Sequence, residues 1–436
     1  MEIRLPSQVN TALGLLNKAG FEAFVVGGCV RDSLLGITPF DWDITTSATP
    51  DETEWVFENY RLIETGLKHG TVTVLIDKMP LEITTYRVDG AYSDNRHPDS
   101  VSFTRNLKDD LSRRDFTVNA LAYNPENGLV DCFGGKEDLN NKIIRCVGNA
   151  DERFNEDALR ILRAIRFSSA LGFEIENKTS QSIFKNKELL NNIAKERIRV
   201  ELVKLLNGKD VKRVLLDYRD IIAVFIPELI PTFDFPQNTP YHCFDVYTHI
   251  AYTVEAAPKE FKVAMLLHDI EKPQCRTTDE NGVDHFKGHP QKSAETAYKI
   301  LKDLRFDNAT IDKTVKFIAV HDEHLPKTLN EALKLLKRIG EDGYTYLITA
   351  KYADNQGKAD KHSGEDLLEN MQRMLDEIRE RKLCYSIKQL DITGNDLINA
   401  GIPAGKQLGQ TLDMLVDAVI DGKCENKKSE LLKYIR

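Results

Sequence analysis

The chain has 436 residues, of which 41% are hydrophobic and 29% are charged. This composition is ordinary for a globular protein, and the length predicts two to four domains that each have room for a core. The net charge of −9 argues against a protein that coats nucleic acid non-specifically. No stretch resembles a signal peptide or approaches the roughly 18 apolar residues of a membrane span, so we expect a cytoplasmic protein with no membrane partner.

The N-terminal part reads as a small head that mixes helices and strands. The predicted elements are a helix over 7–19, a buried strand over 21–28, a helix over 29–36, the DWDI strand over 41–44, and strands over 70–77 and 81–87. The last two strands alternate hydrophobic and polar residues around Lys78-Met79-Pro80, which predicts a hairpin.

From about residue 108 the pattern becomes mainly helical. Periodic segments cover 108–123, 155–171, 195–206, 244–257, 260–271, 291–304 and 309–321, and four prolines in 218–240 indicate a boundary. We therefore predict an α+β multidomain protein in which a mixed-sheet head is followed by helical domains. The predicted domains are a head at 1–145, a neck at 146–225, a histidine-rich domain at 240–360 and a tail at 361–436.

Two carboxylates, Asp41 and Asp43, stand one residue apart in the DWD stretch. In an extended strand they project to the same side, with Trp42 opposite, and two like charges held together favour a cation between them. Two Mg²⁺ ions can activate an attacking hydroxyl and neutralise a leaving pyrophosphate. Glu82 on the following hairpin either supplies a third ligand or is an outward residue of an alternating strand.

Gly27 and Gly28 join the first strand to the next helix, about a dozen residues before the DWD stretch. Glycine lets backbone amides approach phosphate oxygens closely, and Arg31 can clamp an anion with two donors. A tight turn would use the same glycines. Their position beside the two carboxylates indicates a phosphate site and a metal site in one pocket.

These stretches, with SRRDFTVNALAYN, resemble the class II tRNA nucleotidyltransferase and bacterial poly(A) polymerase family, whose head is polymerase-beta-like. The resemblance runs over about residues 20–205. It implies that Asp41 and Asp43 bind the catalytic metals and that Gly27, Gly28 and Arg31 contact the triphosphate. It also implies that Arg114 and Asp115 select the ribose 2′-OH, since a deoxy substrate would leave both groups unpaired.

The stretch 153–167 is predicted to be one helix, with Asp157, Arg160 and Arg163 on one side. A salt-bridged surface helix has the same pattern. Cytosine and adenine both present an exocyclic amine beside an unprotonated ring nitrogen, which a carboxylate and a guanidinium can match, whereas uracil and guanine present the reverse order. The family motif Glu-Asp-x-x-Arg matches Glu156, Asp157 and Arg160, so the resemblance implies a base-reading helix.

Eight of the ten histidines lie between 242 and 362. Their order resembles the HD phosphohydrolase family, and the ligand positions that this resemblance implies are His249, His268, Asp269, His289, His321 and Asp354. Imidazole and carboxylate ligands suit Mn, Fe, Ni or Zn without choosing among them. The resemblance implies phosphatase or 2′,3′-cyclic phosphodiesterase activity on nucleotide or RNA ends. A catalytically silent RNA-binding use of the same fold is the alternative.

The tail resembles the C-terminal segment of CCA-adding enzymes, and we expect it to bind tRNA through backbone contacts. The whole pattern favours an enzyme that adds C, C and A to tRNA 3′ ends from CTP and ATP. Alternatives are a CC-adding or A-adding enzyme, a poly(A) polymerase, a metal phosphohydrolase with a recruiting head, and a non-catalytic tRNA-binding module. A head segment within 88–105 is expected to govern the full specificity. Oligomeric state is not predicted.

Overall fold

A computed structural model describes residues 3–63, 70–90, 100–240, 243–358 and 365–435. The chain divides into two compact units, Met1–Pro227 and Glu228–Arg436. Residues 91–99 of the segment expected to govern specificity lie outside the described residues.

The first unit is built on a mixed sheet. The strands of this unit are β1 (Ala23–Val26), β2 (Asp43–Thr46), β3 (Arg61–Ile63), β4 (Thr71–Ile76), β5 (Met79–Thr85), β6 (Arg87–Asp89), β7 (Val101–Phe103), β8 (Leu121–Asn124), β9 (Gly128–Asp131), β10 (Ile143–Ile144) and β11 (Glu174–Ile175). Among the described residues the mixed sheet has seven strands in the order β3-β4-β5-β2-β1-β8-β9, and the neighbours β2 and β5 run parallel.

Helices cover the sheet and then form the rest of the unit. They are α1 (Ser7–Lys18), α2 (Gly28–Leu34), α3 (Pro50–Val56), α4 (Leu107–Ser112), α5 (Gly135–Asn141), α6 (Ala150–Glu156), α7 (Leu159–Leu171), α8 (Asn177–Asn186), α9 (Lys195–Leu206), α10 (Val211–Asp217) and α11 (Arg219–Ile222). The alternating residues of β1 enter two cores, Ala23 and Val25 on one face of the sheet and Phe24 and Val26 on the other.

Two details of the head differ from the prediction. The predicted helix over 108–123 is wrong, because α4 ends at Ser112 and Leu121–Asn124 is a buried strand of the central sheet. A short apolar run fits a buried strand and a buried helix equally well by periodicity. The hairpin exists, but its turn is Asp77-Lys78, where both residues have positive φ, and Met79 already pairs with Ile76.

The second unit is mainly helical. Its helices are α12 (Val246–Ala256), α13 (Lys262–Leu267), α14 (Lys272–Cys275), α15 (His289–Asp303), α16 (Asn308–Val320), α17 (Leu329–Gln356), α18 (Glu365–Glu380), α19 (Gly394–Asn399), α20 (Lys406–Ile420) and α21 (Lys428–Tyr434). A short hairpin joins β12 (Thr277–Thr278) and β13 (Asp284–His285). Helix α17 is interrupted at Gly340, which has φ 74° and ψ 173°.

A mixed sheet in the first unit and helices in the second confirm the predicted α+β class. One hydrophobic core extends from Ala332 on α17 to Leu431 on α21 and includes Met371, Leu397 and Leu415. This core continues across residue 360, where the sequence suggested a border, and the four-domain division stays a prediction.

Candidate functional site

Three carboxylates of the head lie along the parallel strand pair. Strand β2 begins at Asp43, and the register of β2 and β5 places Asp43 directly beside Glu82. Asp41 and Asp43 are exposed whereas Trp42 is buried, so the alternation expected for this stretch is present. Glu82 is also exposed. Glu82 is therefore an outward residue of its strand and also lies beside Asp43, so the two alternatives for this residue are compatible.

The electrostatics of this group fit a divalent cation. Desolvation by the surrounding protein, followed by the charges of Asp41 and Glu82, raises the pKa of Asp43 to about 6, and Arg114 only partly opposes this. Carboxylates that disfavour one another's charge gain from a hard cation with oxygen ligands. The three carboxylates do not all lie within 4.8 Å of one another, since the groups of three or more ligand atoms within that limit among the described residues are both in the second unit.

The glycine turn lies against two guanidinium groups. Gly27 has φ 82°, and a Cβ there would lie 3.0 Å from Arg114 Nη1. A Cβ on Gly28 would lie 3.7 Å from Arg31 Nη2. The buried Nε of Arg114 has no hydrogen-bond acceptor among the described residues. Glycines beside guanidinium groups at one turn suit an anion such as a phosphate.

The carboxylate of Asp115 is buried and heavily hydrogen-bonded. Its Oδ1 accepts from Phe116 N at 2.8 Å and from Asn119 Nδ2 at 3.0 Å. Its Oδ2 accepts from Arg163 Nε at 2.9 Å and from Arg163 Nη2 at 2.6 Å. A carboxylate has about four acceptor positions, so protein donors already occupy those of Asp115. Asn119, which the sequence reading missed, is a polar residue within the apolar run FTVNALAY.

The prediction of one helix over 153–167 is wrong, because α6 ends at Glu156 and α7 begins at Leu159. Asp157 lies between them with φ −132° and ψ 101°, and its Oδ1 accepts from Leu159 N at 3.1 Å. Aspartate often binds the backbone at a helix start in this way and so competes with a continuous helix.

Each predicted base-reading group has a partner that holds it. Arg160 donates to Glu156 Oε2 at 2.7 Å and to the Arg113 carbonyl at 2.9 Å. Asp157 Oδ2 accepts from Arg197 Nη2 on α9 at 3.2 Å. The two groups are three residues apart in the chain and have separate supports, and the contact between Arg197 and Asp157 was not predicted from the sequence.

The six predicted ligands of the second unit meet in two compact groups. All six residues are buried, and within each group the ligand atoms lie within 4.8 Å of one another. The groups are His249, His268, Asp269 and Asp354, and Asp269, His289 and His321. Asp269 is shared. Its Oδ2 faces His268 Nε2 at 3.1 Å, and its Oδ1 faces His289 Nε2 at 3.2 Å.

The four imidazoles are oriented by backbone carbonyls. Their Nδ1 atoms lie at hydrogen-bond distance from carbonyl oxygens: 3.0 Å from Gly357 for His249, and 2.7 Å from Met265, Phe286 and Ile318 for His268, His289 and His321. A carbonyl only accepts, so each Nδ1 carries the proton and each Nε2 is directed to the shared aspartate. Histidines that bind metals are held in this way.

The pair His289 and His321 gives the clearest test of whether the buried cluster fits a metal ion. Their Nε2 atoms are 3.2 Å apart, and burial lowers the pKa of His321 to about 4. A neutral His321 with its proton on Nδ1 directs a lone pair at His289 Nε2 and at Asp269 Oδ1, which is 3.5 Å away. Opposed lone pairs in a buried site fit a cation between them.

Lysines surround the cluster and were not predicted. Lys272 Nζ lies 2.7 Å from Asp269 Oδ2, and Lys358 Nζ lies 2.5 Å from Asp354 Oδ2. Both lysines line a cavity of about 500 Å³ that Asp269, His289 and His321 also line. Lys272 follows Asp269 by three residues, a helical spacing that could have indicated the contact. Each of these two lysines is thus paired with a carboxylate of the cluster at the wall of the cavity.

No helix in the described part of the chain is long and apolar enough to cross a membrane. Three family models match the chain: the Poly A polymerase head domain over residues 23–145, the "Probable RNA and SrmB-binding site of polymerase A" over 172–232, and tRNA nucleotidyltransferase domain 2 over 289–435.

Full-length relatives also match. The CCA-adding enzyme of Lactobacillus helveticus is 34% identical over 97% of this chain and 95% of its own length, and that of Bacillus velezensis is 34% identical over 96% and 95%. The Bacillus stearothermophilus CCA-adding enzyme in complex with CTP has a TM-score of 0.73 at 28% identity, covering 98% of this chain and 96% of that one. The Thermotoga maritima enzyme complexed with tRNA_CCA, at 23% identity over 100% and 96% with a TM-score of 0.63, shares the fold. The chain belongs to the CCA-adding enzyme family and is a nucleotidyltransferase.

Proposed function

We propose that this chain adds C, C and A to the 3′ end of tRNA from CTP and ATP. The observation that carries the proposal is the register that sets the exposed residue Asp43 beside the exposed residue Glu82 on neighbouring strands, with Asp41 two residues away. The relatives at 34% identity are CCA-adding enzymes, and the related structure at 28% identity is a complex with CTP.

In this proposal the head binds the reacting groups. Asp41, Asp43 and Glu82 would hold Mg²⁺, which supplies activation of the attacking 3′-hydroxyl and neutralisation of the leaving pyrophosphate. Arg31, with Gly27 and Gly28, binds the triphosphate. The free Nε of Arg114 and the carboxylate of Asp115 face the ribose.

The neck selects the base. Asp157 accepts from an exocyclic amine while Arg160 donates to the adjacent ring nitrogen, which fits cytosine and adenine. Uracil and guanine would oppose a carbonyl to the carboxylate and an N–H to the guanidinium, and such buried mispairing is costly. Glu156 and Arg197 hold the two readers through the contacts described above. The tail at 361–436 is assigned to tRNA binding in the same proposal.

The test is extension of a tRNA that lacks its 3′ CCA, with CTP, ATP, both, UTP or GTP in the presence of Mg²⁺. Addition of three residues only when CTP and ATP are both present supports the proposal. Two C additions alone, A addition only on a CC-ended tRNA, or long A tracts would each replace it with the corresponding alternative. A variant with Asp41→Asn and Asp43→Asn is the control for chemistry in the head.

We infer a second activity for the histidine-rich region, a metal-dependent phosphohydrolase that acts on phosphorylated nucleotide or RNA ends. The supporting observation is the pair of ligand groups that share Asp269, with all four imidazoles oriented by carbonyls. The bound metals, of the class Mn, Fe, Ni or Zn, would supply the nucleophilic water. Lys272 and Lys358 would bind the anionic substrate in the adjoining cavity.

Metal analysis of the purified protein tests this activity separately. We expect transition metal in the wild type, hydrolysis of a 2′,3′-cyclic or terminal phosphate, and loss of both in a His268→Ala, Asp269→Ala variant. Metal without hydrolysis would favour the silent RNA-binding alternative. Hydrolysis in a chain that shows no nucleotide addition would favour a phosphohydrolase with a recruiting head.

A further inference from the structure

Asn119 lies between two groups that the proposed function assigns to different parts of the nucleotide. It ends the short 3₁₀ turn Thr117–Asn119 before β8 and is 6% exposed. Arg31 Nη1 donates to its Oδ1 at 2.6 Å, and its Nδ2 donates to Asp115 Oδ1 at 3.0 Å. One amide therefore joins the arginine of the triphosphate site to the carboxylate of the ribose site.

The orientation of this amide is fixed by its partners. A guanidinium can only donate, so the oxygen of Asn119 must face Arg31. The carboxylate of Asp115 must then accept from the nitrogen. Burial alone would raise the pKa of Asp115, but the ion pair with Arg163 and the Asn119 hydrogen bond lower it to about 2. Asp115 is thus an acceptor at neutral pH, and the reverse orientation of the amide would oppose like groups on both sides.

The two ends of this connection also share one ring. The guanidinium carbons of Arg31 and Arg163 lie 5.0 and 5.4 Å from the centroid of Phe167, which is 4% exposed. Arg163 in turn holds the other oxygen of Asp115. Arg31, Asn119, Asp115 and Arg163 form a continuous chain of contacts, and Phe167 packs beneath both of its ends.

We propose that Asn119 is a positioning residue for nucleotide selection: it aligns the ribose-facing carboxylate of Asp115 with the triphosphate-facing guanidinium of Arg31. The inference rests on the proposed function. It follows from the contacts because, among the described residues, the other donor to Asp115 Oδ1 is Phe116 N. Without Asn119 the carboxylate keeps Phe116 N and Arg163 as partners but loses its connection to Arg31, and Arg31 loses an acceptor. Selection of the 2′-OH should then weaken more than nucleotide binding.

The test compares CTP with dCTP in the extension assay on a tRNA that lacks CCA. For Asn119→Ala we expect the ratio of kcat/KM for CTP over dCTP to fall by about tenfold or more, with the loss mainly in kcat for CTP. The matched control is Asn124→Ala. Asn124 is the last residue of β8, the strand that follows the Thr117–Asn119 turn, and is 1% exposed. Its side-chain hydrogen bonds among the described residues are to backbone, the Ala23 carbonyl at 2.6 Å and Glu126 N at 2.8 Å. We expect Asn124→Ala to lower thermal stability and to leave the CTP/dCTP ratio within about twofold.

A second variant separates positioning from packing. Asn119→Asp keeps the volume and the acceptor for Arg31 but sets an oxygen against the Asp115 oxygen. If Asn119 positions Asp115, Asn119→Asp lowers the CTP/dCTP ratio at least as much as Asn119→Ala. If Asn119 only fills space, Asn119→Asp lowers the CTP/dCTP ratio less than Asn119→Ala does, and that result overturns the inference. An unchanged ratio in both variants also overturns it. Failure of the wild type to add CMP would instead overturn the proposed function, and this is seen before any variant is made.

Discussion

The two candidate metal sites of this chain are built in opposite ways. In the head, Asp41, Asp43 and Glu82 are exposed, lie on or beside the neighbouring strands β2 and β5, and do not all lie within 4.8 Å of one another. In the second unit the six ligands are buried, and those of each group lie within 4.8 Å of one another. All four imidazoles there are oriented by carbonyl oxygens.

This difference indicates how each site would acquire its metal. A group of exposed carboxylates leaves coordination positions for phosphate oxygens, so its cations can arrive with the nucleotide. A buried cluster with fixed tautomers has most of its ligands in place before any substrate arrives. We therefore expect the head to require metal in the assay buffer and the second site to retain metal through purification.

The largest expected effect is on nucleotide addition in the head. Replacing Asp41 and Asp43 with alanine should lower the rate of CMP addition by ~10³-fold or more, because the charge that holds the cations is removed. Single-turnover extension measures this. Transition-metal content should not change in the same variant, and a parallel loss of that metal would remove the contrast between the sites.

The next effect is on metal content and stability in the second unit. His268→Ala with Asp269→Ala should abolish bound transition metal and lower the free energy of unfolding by roughly 3–5 kcal/mol, because buried charged partners such as Lys272 lose their counterion. Elemental analysis and denaturant unfolding measure the two losses.

The rate of nucleotide addition by the His268→Ala, Asp269→Ala variant should stay within about threefold of the wild-type rate. His285→Ala is the matched control, since His285 also contacts an aspartate, Asp279 at 3.0 Å, but its side chain is 47% exposed. A similar loss of metal in the control would contradict the assignment of the buried cluster.

A third prediction concerns the base readers. Asp157→Asn presents an amide in place of the carboxylate, so an oxygen or a nitrogen can face the base. Discrimination of CTP against UTP should fall by about 10²-fold. Competition between the two nucleotides in the extension assay measures this ratio. Asp151→Asn on the preceding helix, whose carboxylate contacts Lys185 at the surface, should leave the ratio unchanged.

The smallest effect separates backbone strain from crowding at the phosphate turn. Gly27→Ala and Gly36→Ala both place a side chain at positive φ, 82° and 73°, and each should lower stability by about 1–2 kcal/mol. Only the Gly27 variant crowds a guanidinium, Arg114 Nη1 at 3.0 Å, whereas the Gly36 position is open. We expect a several-fold higher KM for CTP in Gly27→Ala alone. Equal KM values would show that the turn is structural.

Residue chemistry could be predicted from the sequence, whereas the geometry that supports it could not. All six residues of the buried cluster were indicated by the sequence, because their order along the chain resembles the ligand order of the HD phosphohydrolase family. It did not reveal the carbonyls at Met265, Phe286 and Ile318, because a backbone acceptor has no residue type. It also missed Asn119, whose partners are 88 and 4 residues away.

Local competition explains the wrong elements. The side chain of Asp157 accepts a hydrogen bond from Leu159 N and interrupts the predicted helix, and Ile161, Leu162 and Ile165 are buried on α7, which begins after this interruption. The run at 121–124 is buried on both faces of the sheet, and its hydrophobicity alone does not separate strand from helix.

The interruption at Gly340 has a consequence for folding cooperativity. It divides α17 into a first part, 329–339, whose Leu333 and Leu336 pack in the core that reaches Leu431, and a second part, 341–356, that carries Asp354. By mass action, a metal held by Asp354 raises the free energy of local opening for the backbone around it. Amide hydrogen exchange should therefore slow in 341–356 on metal binding. Slowing that stops at Gly340 would show that this residue separates two cooperative units. Slowing that continues into 329–339 and the terminal helices would show that Gly340 lies within one unit.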